Sequence, residues 1–239
     1  MAVKVDSIND ALVYNDTSYE HRLYDAFGNN VRKWLLNGPR NTDDTTAVPT
    51  DLTVTAVNTS TVTQSTTAGN TLVLTTDATE YDGLNVQVKG EQFKLESGKP
   101  LYFGASILIP EDTEIDLLVG LCETKTDLLK TSSSHGVNTS VEGVFFLKTD
   151  GAKTIAMKSY EGGTQYFTGN IGDVTKDVAH IYELYWDGTK LEYYYDGTLY
   201  GFLTAGYANG DLTPSINVRA GSAAARVCTV QWMRCIQVR

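Results

Sequence analysis

Apolar and polar residues alternate along most of this chain, and the dominant period is two. The pattern is clearest from Val178 to Leu203, VAHIYELYWDGTKLEYYYDGTLYGFL. Tyr182, Leu184 and Trp186 fall on one face of a first strand, and Ile181, Glu183 and Tyr185 on the other. Leu191, Tyr193 and Tyr195 share a face of a second strand. Two Asp-Gly turns, Asp187-Gly188 and Asp196-Gly197, join three runs into a predicted meander, because Gly accepts positive φ and Asp tolerates it. Large rings stand on both faces, which suits the middle of an antiparallel sandwich.

The same period runs through the rest of the chain from Asp51 onward. Leu52 and Val54 alternate with Thr53 and Thr55, and a Thr-rich run, TSTVTQSTT, reads as an edge strand because β-branching favours the pleat. A further strand is predicted over 71–76. Alternation over Leu84–Lys89 predicts one buried and one wet face. LYFGASILI, from Leu101 to Ile109, is apolar throughout and is predicted to be central. Leu117–Cys122 and Val144–Lys148 are further core strands, and Arg226–Arg239 closes the chain. In that last run Val230, Trp232, Ile236 and Val238 are assigned to one face. Trp186, Leu184, Trp232, Phe103, Ile107 and Phe145 are the expected core. About a dozen antiparallel strands with scarcely any helix imply an all-β sandwich of jelly-roll type, in which a last strand returns beside early ones. No linker or second core is evident after Asp51, so one large domain is expected.

The first fifty residues break the pattern. Ser18–Phe27 has apolar residues at 19, 23, 24 and 27, a helix-like spacing closed by Gly28, although Tyr24–Phe27 equally reads as a first edge strand. VRKWLL, from Val31 to Leu36, fits either type, and NGPRNTDDTTAVPT is a loop rich in turn formers. Residues 1–23 read as an arm and 24–239 as the sandwich domain. Ile8, Leu12, Val13, Tyr14 and Tyr19 have no partner strand evident in the sequence, so the arm is expected to dock on protein.

Charge narrows the partners. A net charge of −10 and a pI near 4.7 argue against nucleic-acid or anionic-membrane binding. No apolar run approaches the ~20 residues needed to span a bilayer, and MAVKVDSIND lacks the apolar core of a signal peptide. Cys122, Cys228 and Cys235 are an odd set, read as buried free thiols. Strict alternation puts Cys228 and Cys235, seven positions apart, on opposite faces.

Candidate chemistry is sparse. His21, His135 and His180 lie in separate contexts, none with a Ser or Cys partner. His135 sits in a flexible-looking loop, TSSSHGVNTS, and His180 reads as a satisfied rim residue. No metal-ligand spacing links Cys and His, and calcium near Asp82, Asp150 or Asp173 has no spacing that singles out a site. No cofactor is expected. Trp186, Tyr193, Tyr194, Tyr195, Tyr200 and Tyr207 could form a sugar-stacking platform, or could equally fill the two sheet faces.

The succession EQFKLESGKPLYFGASILI, DLLVGLCETKTDLL, EGVFFLKTDG, IYELYWDGTKLEYYYDGTLYG and RVCTVQWMRCIQVR resembles the concanavalin A-like sandwich. More narrowly, it is similar to laminin-G-type structural proteins of tailed bacteriophages. That resemblance implies a non-enzymatic virion protein made in the host cytoplasm and placed on the capsid exterior. It would be a decoration or cement protein, bound to the major capsid protein through the arm, with homo-oligomers expected. The alternative is a carbohydrate-binding module with a glycan partner, or a degenerate laminarinase-type hydrolase.

Glu114-Ile115-Asp116-Leu117-Leu118-Val119 carries that last alternative. It resembles the E-I-D-x-E signature of laminarinase-type retaining hydrolases, whose two glutamates face the cleft as nucleophile and general acid/base, ~5–5.5 Å apart. Leu118 stands where the second glutamate belongs, or Val119 if a one-residue bulge intervenes, and Glu123 lies too far along the strand. No catalytic residue is therefore expected.

Overall fold

The computed structural model describes residues 4–8, 11–16, 21–26, 31–37, 49–65 and 71–238, the first four segments as backbone pairing only. They form eighteen strands: β1 Lys4–Ile8, β2 Ala11–Asp16, β3 His21–Ala26, β4 Val31–Asn37, β5 Leu52–Ala56, β6 Thr61–Ser65, β7 Thr71–Thr75, β8 Gly83–Val88, β9 Leu101–Leu108, β10 Ile115–Cys122, β11 Gly143–Lys148, β12 Thr154–Glu161, β13 Thr164–Asp173, β14 Ala179–Trp186, β15 Leu191–Tyr195, β16 Thr198–Leu203, β17 Thr213–Ala220 and β18 Val227–Val238. There is no helix among the described residues.

Two antiparallel sheets make the sandwich. One has seven strands in the order β13-β12-β11-β10-β17-β8-β5. The other has eight, in the order β16-β15-β14-β9-β18-β7-β6 with β4 also paired to β18. The closing strand β18 lies beside β9 on one edge, while its other edge takes β7 and then β4. This return of the last strand beside early ones is the jelly-roll feature expected from the sequence. Between the sheets lie Leu184, Trp186, Tyr182, Leu191, Tyr193 and Tyr195, as the alternation predicts, with Phe103 and Ile107 beside them on β9 and Leu117 and Val119 of β10 opposite.

Several expectations are corrected. Ser18–Phe27 is not helical where it is described: His21–Ala26 is a strand paired to β2. β1, β2 and β3 form a three-stranded sheet of their own, so Ile8, Leu12, Val13 and Tyr14 do have partner strands. Tyr19 lies outside the described residues. β3 also runs across residue 23, where the arm was divided from the sandwich. β-branched and aromatic residues decide these short segments in favour of strand once a neighbouring strand can pair with them.

The two Asp-Gly turns are not a matching pair. Tyr195 pairs directly with Thr198, and Asp196 and Gly197 have φ of 49° and 73°, the two positive values that a two-residue hairpin turn requires. Trp186 pairs instead with Leu191, leaving four residues in the loop. There Asp187 Oδ1 accepts from the Thr189 and Lys190 N–H groups.

Strict alternation fails in β18. Val230 pairs with Ile107 but Trp232 pairs with Ser106, so Gln231 is an extra residue, a β-bulge. The bulge reverses the facing of everything after it. Met233 and Cys235 join the core, while Trp232 is half-buried on the outer face with the Arg234 guanidinium 4.8 Å from its ring. Cys228 and Cys235 consequently share a face rather than opposing each other, and both are free and buried. Seven residues of strand still keep them roughly 20 Å apart, far beyond disulfide reach.

A second, smaller apolar cluster lies on the outer face of the seven-stranded sheet. Leu118 and Cys122 of β10 and Phe145 and Leu147 of β11 pack there against Leu128, Leu129 and Val141. Residues 123–142 therefore cover this face. The wet face expected of β8 is dry for the same reason: Asn85 and Gln87 are 2% exposed. Gln87 Nε2 donates to the Glu123 carbonyl (2.8 Å), and the Lys125 N–H donates to Gln87 Oε1 (3.0 Å).

Candidate functional site

Glu114 just before β10, and Asp116 and Leu118 within it, turn to the outer face of the sheet, because Ile115, Leu117 and Val119 are committed to the core. The three positions differ sharply in environment. The Glu114 side chain is 52% exposed and ion-paired to Arg226. Asp116 is 1% exposed, and Leu118 is fully buried in the smaller cluster. The carboxylate pair that double displacement requires is absent from this strand.

Asp116 is the centre of a different constellation. Its Oδ1 accepts from the Asp150 N–H (2.8 Å), and its Oδ2 lies 2.6 Å from His135 Nδ1. His135 Nε2 faces two more carboxylates, Glu80 Oε1 at 3.4 Å and Asp150 Oδ2 at 3.5 Å. Tyr81 stacks on the imidazole, ring centroids 4.7 Å apart. Gly221 makes room for the group, since a Cβ there would stand 1.8 Å from Asp150 Oδ1.

The electrostatics follow from burial against pairing. Burial disfavours the His135 cation, but the Asp116 hydrogen bond and the charges of Asp116 and Asp150 outweigh it, and the imidazole is raised above its usual value. Burial raises the Asp116 carboxyl despite the opposing help of His135 and the Asp150 N–H. Burial also lowers the Lys148 ammonium to about 8, although Asp116 and Asp150 pull the other way. Lys148 is fully buried and donates to the Ile115 carbonyl at 2.7 Å. Arg219, 1% exposed, donates to the Tyr81 carbonyl (3.3 Å), and burial lowers it.

The remaining sequence candidates fall apart from this cluster. His180 Nδ1 lies 2.7 Å from Asp196 Oδ2, and its Nε2 accepts from the Thr175 N–H at 2.8 Å, which makes it the satisfied rim residue expected. Asp82 is held by Asn58 (2.5 Å) and Asp173 by Thr154 (3.0 Å), and no group of three such side chains placed to hold a metal ion occurs among the described residues. Trp186, Tyr193, Tyr194 and Tyr195 are buried, so they cannot stack on a sugar. Tyr207 is half-buried against Trp186, their centroids 4.9 Å apart.

Tyr200 does remain open, at 45% exposure, and the structure adds Tyr166 (55%) and Phe202 (57%). These rings belong to β13 and β16, the edge strands of the two sheets. The sequence signal for them was faint, because an edge strand lacks the neighbour that buries alternate rings. A groove of about 490 Å³ elsewhere is lined by Glu91, Lys94, Glu96, Lys99, Asp211 and Gln237, none of them a sequence candidate.

No protein-family model and no curated protein sequence matches the chain. Solved structures do. The carbohydrate recognition domain of Emp47p matches with a TM-score of 0.60 and 10% identity, covering 84% of this chain and 93% of that one. The Bacillus licheniformis β-glucanase matches at 0.56 and 12%, covering 84% and 96%. The catalytic domain of an endo-1,3-β-glucanase (laminarinase) from Thermotoga petrophila matches at 0.56 and 13%, covering 86% and 97%. At such identities the likeness shows the fold alone, a concanavalin A-like jelly-roll sandwich.

Proposed function

We propose that this chain is a non-enzymatic structural protein that attaches to a larger protein assembly. The observation that carries this reading is the closure of the outer face of the seven-stranded sheet by residues 123–142, with Leu118 packed where a proton donor would have to stand. A retaining hydrolase needs two carboxyls ~5–5.5 Å apart beside open space for a sugar ring. Here Asp116 is engaged with His135 and the Asp150 N–H, and Glu114 with Arg226. Attachment through β1–β3 is supported by their forming a sheet of their own, with Ile8, Leu12, Val13 and Tyr14 of these strands, and Tyr19 outside the described residues, as the docking residues.

The assembly, in this reading, is a tailed-phage capsid, with the major capsid protein as partner and the protein on the particle exterior. That finer step rests on the resemblance carried by DLLVGLCETKTDLL and EGVFFLKTDG; the structural neighbours do not bear on it. Deleting residues 2–26 and adding the purified variant to particles lacking the protein is the test. The sandwich is expected to stay folded and fail to bind. Binding at full strength would remove β1–β3 from the mechanism, and hydrolysis of a β-glucan by the intact protein would overturn the non-enzymatic reading.

A second reading, glycan binding, is favoured by the open rings Tyr166, Tyr200 and Phe202. Aromatic side chains at a surface combine an apolar face with a polar tip or edge, as sugar recognition requires. It predicts glycan retention that Tyr200→Ala and Phe202→Ala together abolish. No retention on any glycan by the intact protein would end it.

A further inference from the structure

Residues 123–142 leave β10 and return to β11, folding over the outer face of the sheet. The base of this segment is stitched to the body. The Glu123 N–H donates to the Glu142 carbonyl (2.9 Å), and Gln87 bonds both Glu123 and Lys125. Its middle is a small hairpin: Leu129 and Val137 bridge, the Lys130 N–H donates to the Gly136 carbonyl (2.9 Å), and Asn138 Nδ2 holds Asp127 Oδ2 (2.6 Å). Leu128 and Leu129 reach down into the apolar cluster.

The tip is different. Residues 131–134 are exposed, and their hydrogen bonds stay within the segment: Ser134 N–H to the Ser132 carbonyl (2.9 Å) and Lys130 Nζ to Ser134 Oγ (3.0 Å). Over 130–136, His135 alone makes polar contact with the rest of the protein, and it does so on three carboxylates and one ring. A neutral imidazole can donate from one nitrogen only. With Nδ1–H on Asp116, a neutral Nε2 would turn its lone pair toward Glu80 and Asp150, so only the imidazolium satisfies all three.

Beneath the segment the sheet is incompletely satisfied. Asn217, which stands beside Leu118 in register and opposite Asn85, has neither its Nδ2 nor its Oδ1 bonded, and Asn85 Oδ1 is also unbonded. Asn217 is fully buried. Opening would let water reach these groups. Local opening is drawn from stretches with few contacts to the body and exposed backbone, as at 131–134.

We propose that residues 123–142 are a lid, latched at its tip by the imidazolium of His135 on Asp116, Asp150 and Glu80, and that loss of the imidazolium charge releases the tip. The other charged groups around the latch do not replace it. Arg219 stands beside Asp116 in register on β17, Lys148 lies on the inner face of β11 with its ammonium on the Ile115 carbonyl, Arg226 is engaged with Glu114, and Lys130 and Asp127 belong to the lid itself. A group whose folded value is raised contributes its stability below the unfolded value and loses it as pH rises through the folded one. The lid is therefore held in mild acid and loosened toward alkaline pH. With the tip free, only the Leu129–Val137 hairpin and the bonds at the base hold the cover over Leu118, Cys122, Phe145 and Leu147.

Hydrogen exchange on the full chain, corrected for the pH dependence of intrinsic exchange, tests this. From about pH 6 to about pH 8.5, protection over 126–140 is expected to fall about tenfold, the loss of one charge-assisted hydrogen bond, while 182–195 stays protected. In His135→Gln the lid is expected to show the alkaline behaviour at both values. Unchanged protection in the native chain, or the same pH dependence in His135→Gln, would overturn the proposal. Cys122 supplies an independent readout, since it lies beneath the lid whereas Cys228 and Cys235 lie between the sheets. At a fixed pH near neutrality, a thiol reagent is expected to modify Cys122 about tenfold faster in His135→Gln than in the native chain, with Cys228 and Cys235 silent in both. Asp150→Asn, which keeps the imidazole, is expected to fall between. Equal Cys122 rates in all three proteins, or simultaneous modification of all three cysteines, would rule the lid out.

Discussion

His135 and His180 look alike in isolation. Each has Nδ1 against an aspartate, at 2.6 and 2.7 Å, and each stacks on a tyrosine, at 4.7 and 5.1 Å between centroids. What separates them is the other nitrogen. His180 Nε2 accepts from a backbone N–H, which fixes a neutral ring with its proton on Nδ1. His135 Nε2 faces two carboxylates, which asks for a cation. One histidine closes a hydrogen-bond account inside a rigid rim; the other holds down a segment by charge. A second-partner difference of a few ångströms is enough to turn the same pair of residue types from structural to responsive.

The contrast can be broken most forcefully from below. Phe145 is fully buried under the lid, so Phe145→Ala is expected to cost about 3–5 kcal/mol in equilibrium denaturation, transfer loss and cavity together. It should also loosen residues 126–140 at every pH, removing the support on which His135 acts while leaving the His180 region protected in hydrogen exchange.

His180→Ala comes next. It leaves the Thr175 N–H and Asp196 Oδ2 without their partner, a loss of about 1–3 kcal/mol expected in urea denaturation. Lid exchange should not change, and a faster lid would mean that the two histidines are coupled.

His135→Gln should be milder. The side chain is 20% exposed, so solvent screens its pairs, and about 1 kcal/mol is expected at pH 6, vanishing as pH rises. Lys148 sharpens this by acting with the opposite sign. Its ammonium is lowered to about 8, while the unfolded chain holds that proton up to ~10.4. Between those values Lys148 binds more protons in the unfolded chain and so adds stability as pH rises, whereas Cys122, Cys228 and Cys235, whose thiols burial raises, lose stability over the same range. Lys148→Met is therefore expected to steepen the alkaline loss of global stability in urea denaturation. An unchanged slope would remove Lys148 from that balance.

Glu114→Gln is expected to have the smallest effect, within about 0.5 kcal/mol, because its carboxylate is exposed and its ion pair lies at the surface. Its thermal midpoint and lid exchange should match the native chain. A large loss would place Glu114 in the Asp116 network rather than beside it.

Much of the sandwich was legible because local pattern and tertiary burial agree there. The faces of β14 and β15 follow directly from alternation, since both strands lie inside a sheet and their inner residues meet the opposite one. β18 was misassigned after Gln231 because a bulge is one residue of backbone with no side-chain signature, and it exchanged Trp232 for Met233 in the core. β8 was expected to be wet on one side, since nothing in Asn85 or Gln87 announces that a segment forty positions later will cover them. The broken E-I-D-x-E pattern at Glu114–Leu118 was readable, and Leu118 proved to be buried. The constellation around Asp116 was not readable, because Glu80, Asp116, His135 and Asp150 lie on separate segments with no shared spacing.

Sequence alone determined the all-β class, the Asp196-Gly197 hairpin, the central place of Leu101–Leu108 and the leucine, not a carboxylate, at position 118. Each is a short-range property: period-two burial, positive φ at adjacent turn residues, a continuous apolar run, the identity of one side chain. The tertiary structure alone decided which surfaces are covered and which ionisable groups meet. Coverage depends on where a loop lands after crossing a sheet. The charge state of His135 depends on three carboxylates brought to within 3.5 Å by chain segments far apart in order. Short-range preferences choose strands, but charge and burial are sums over everything nearby in space.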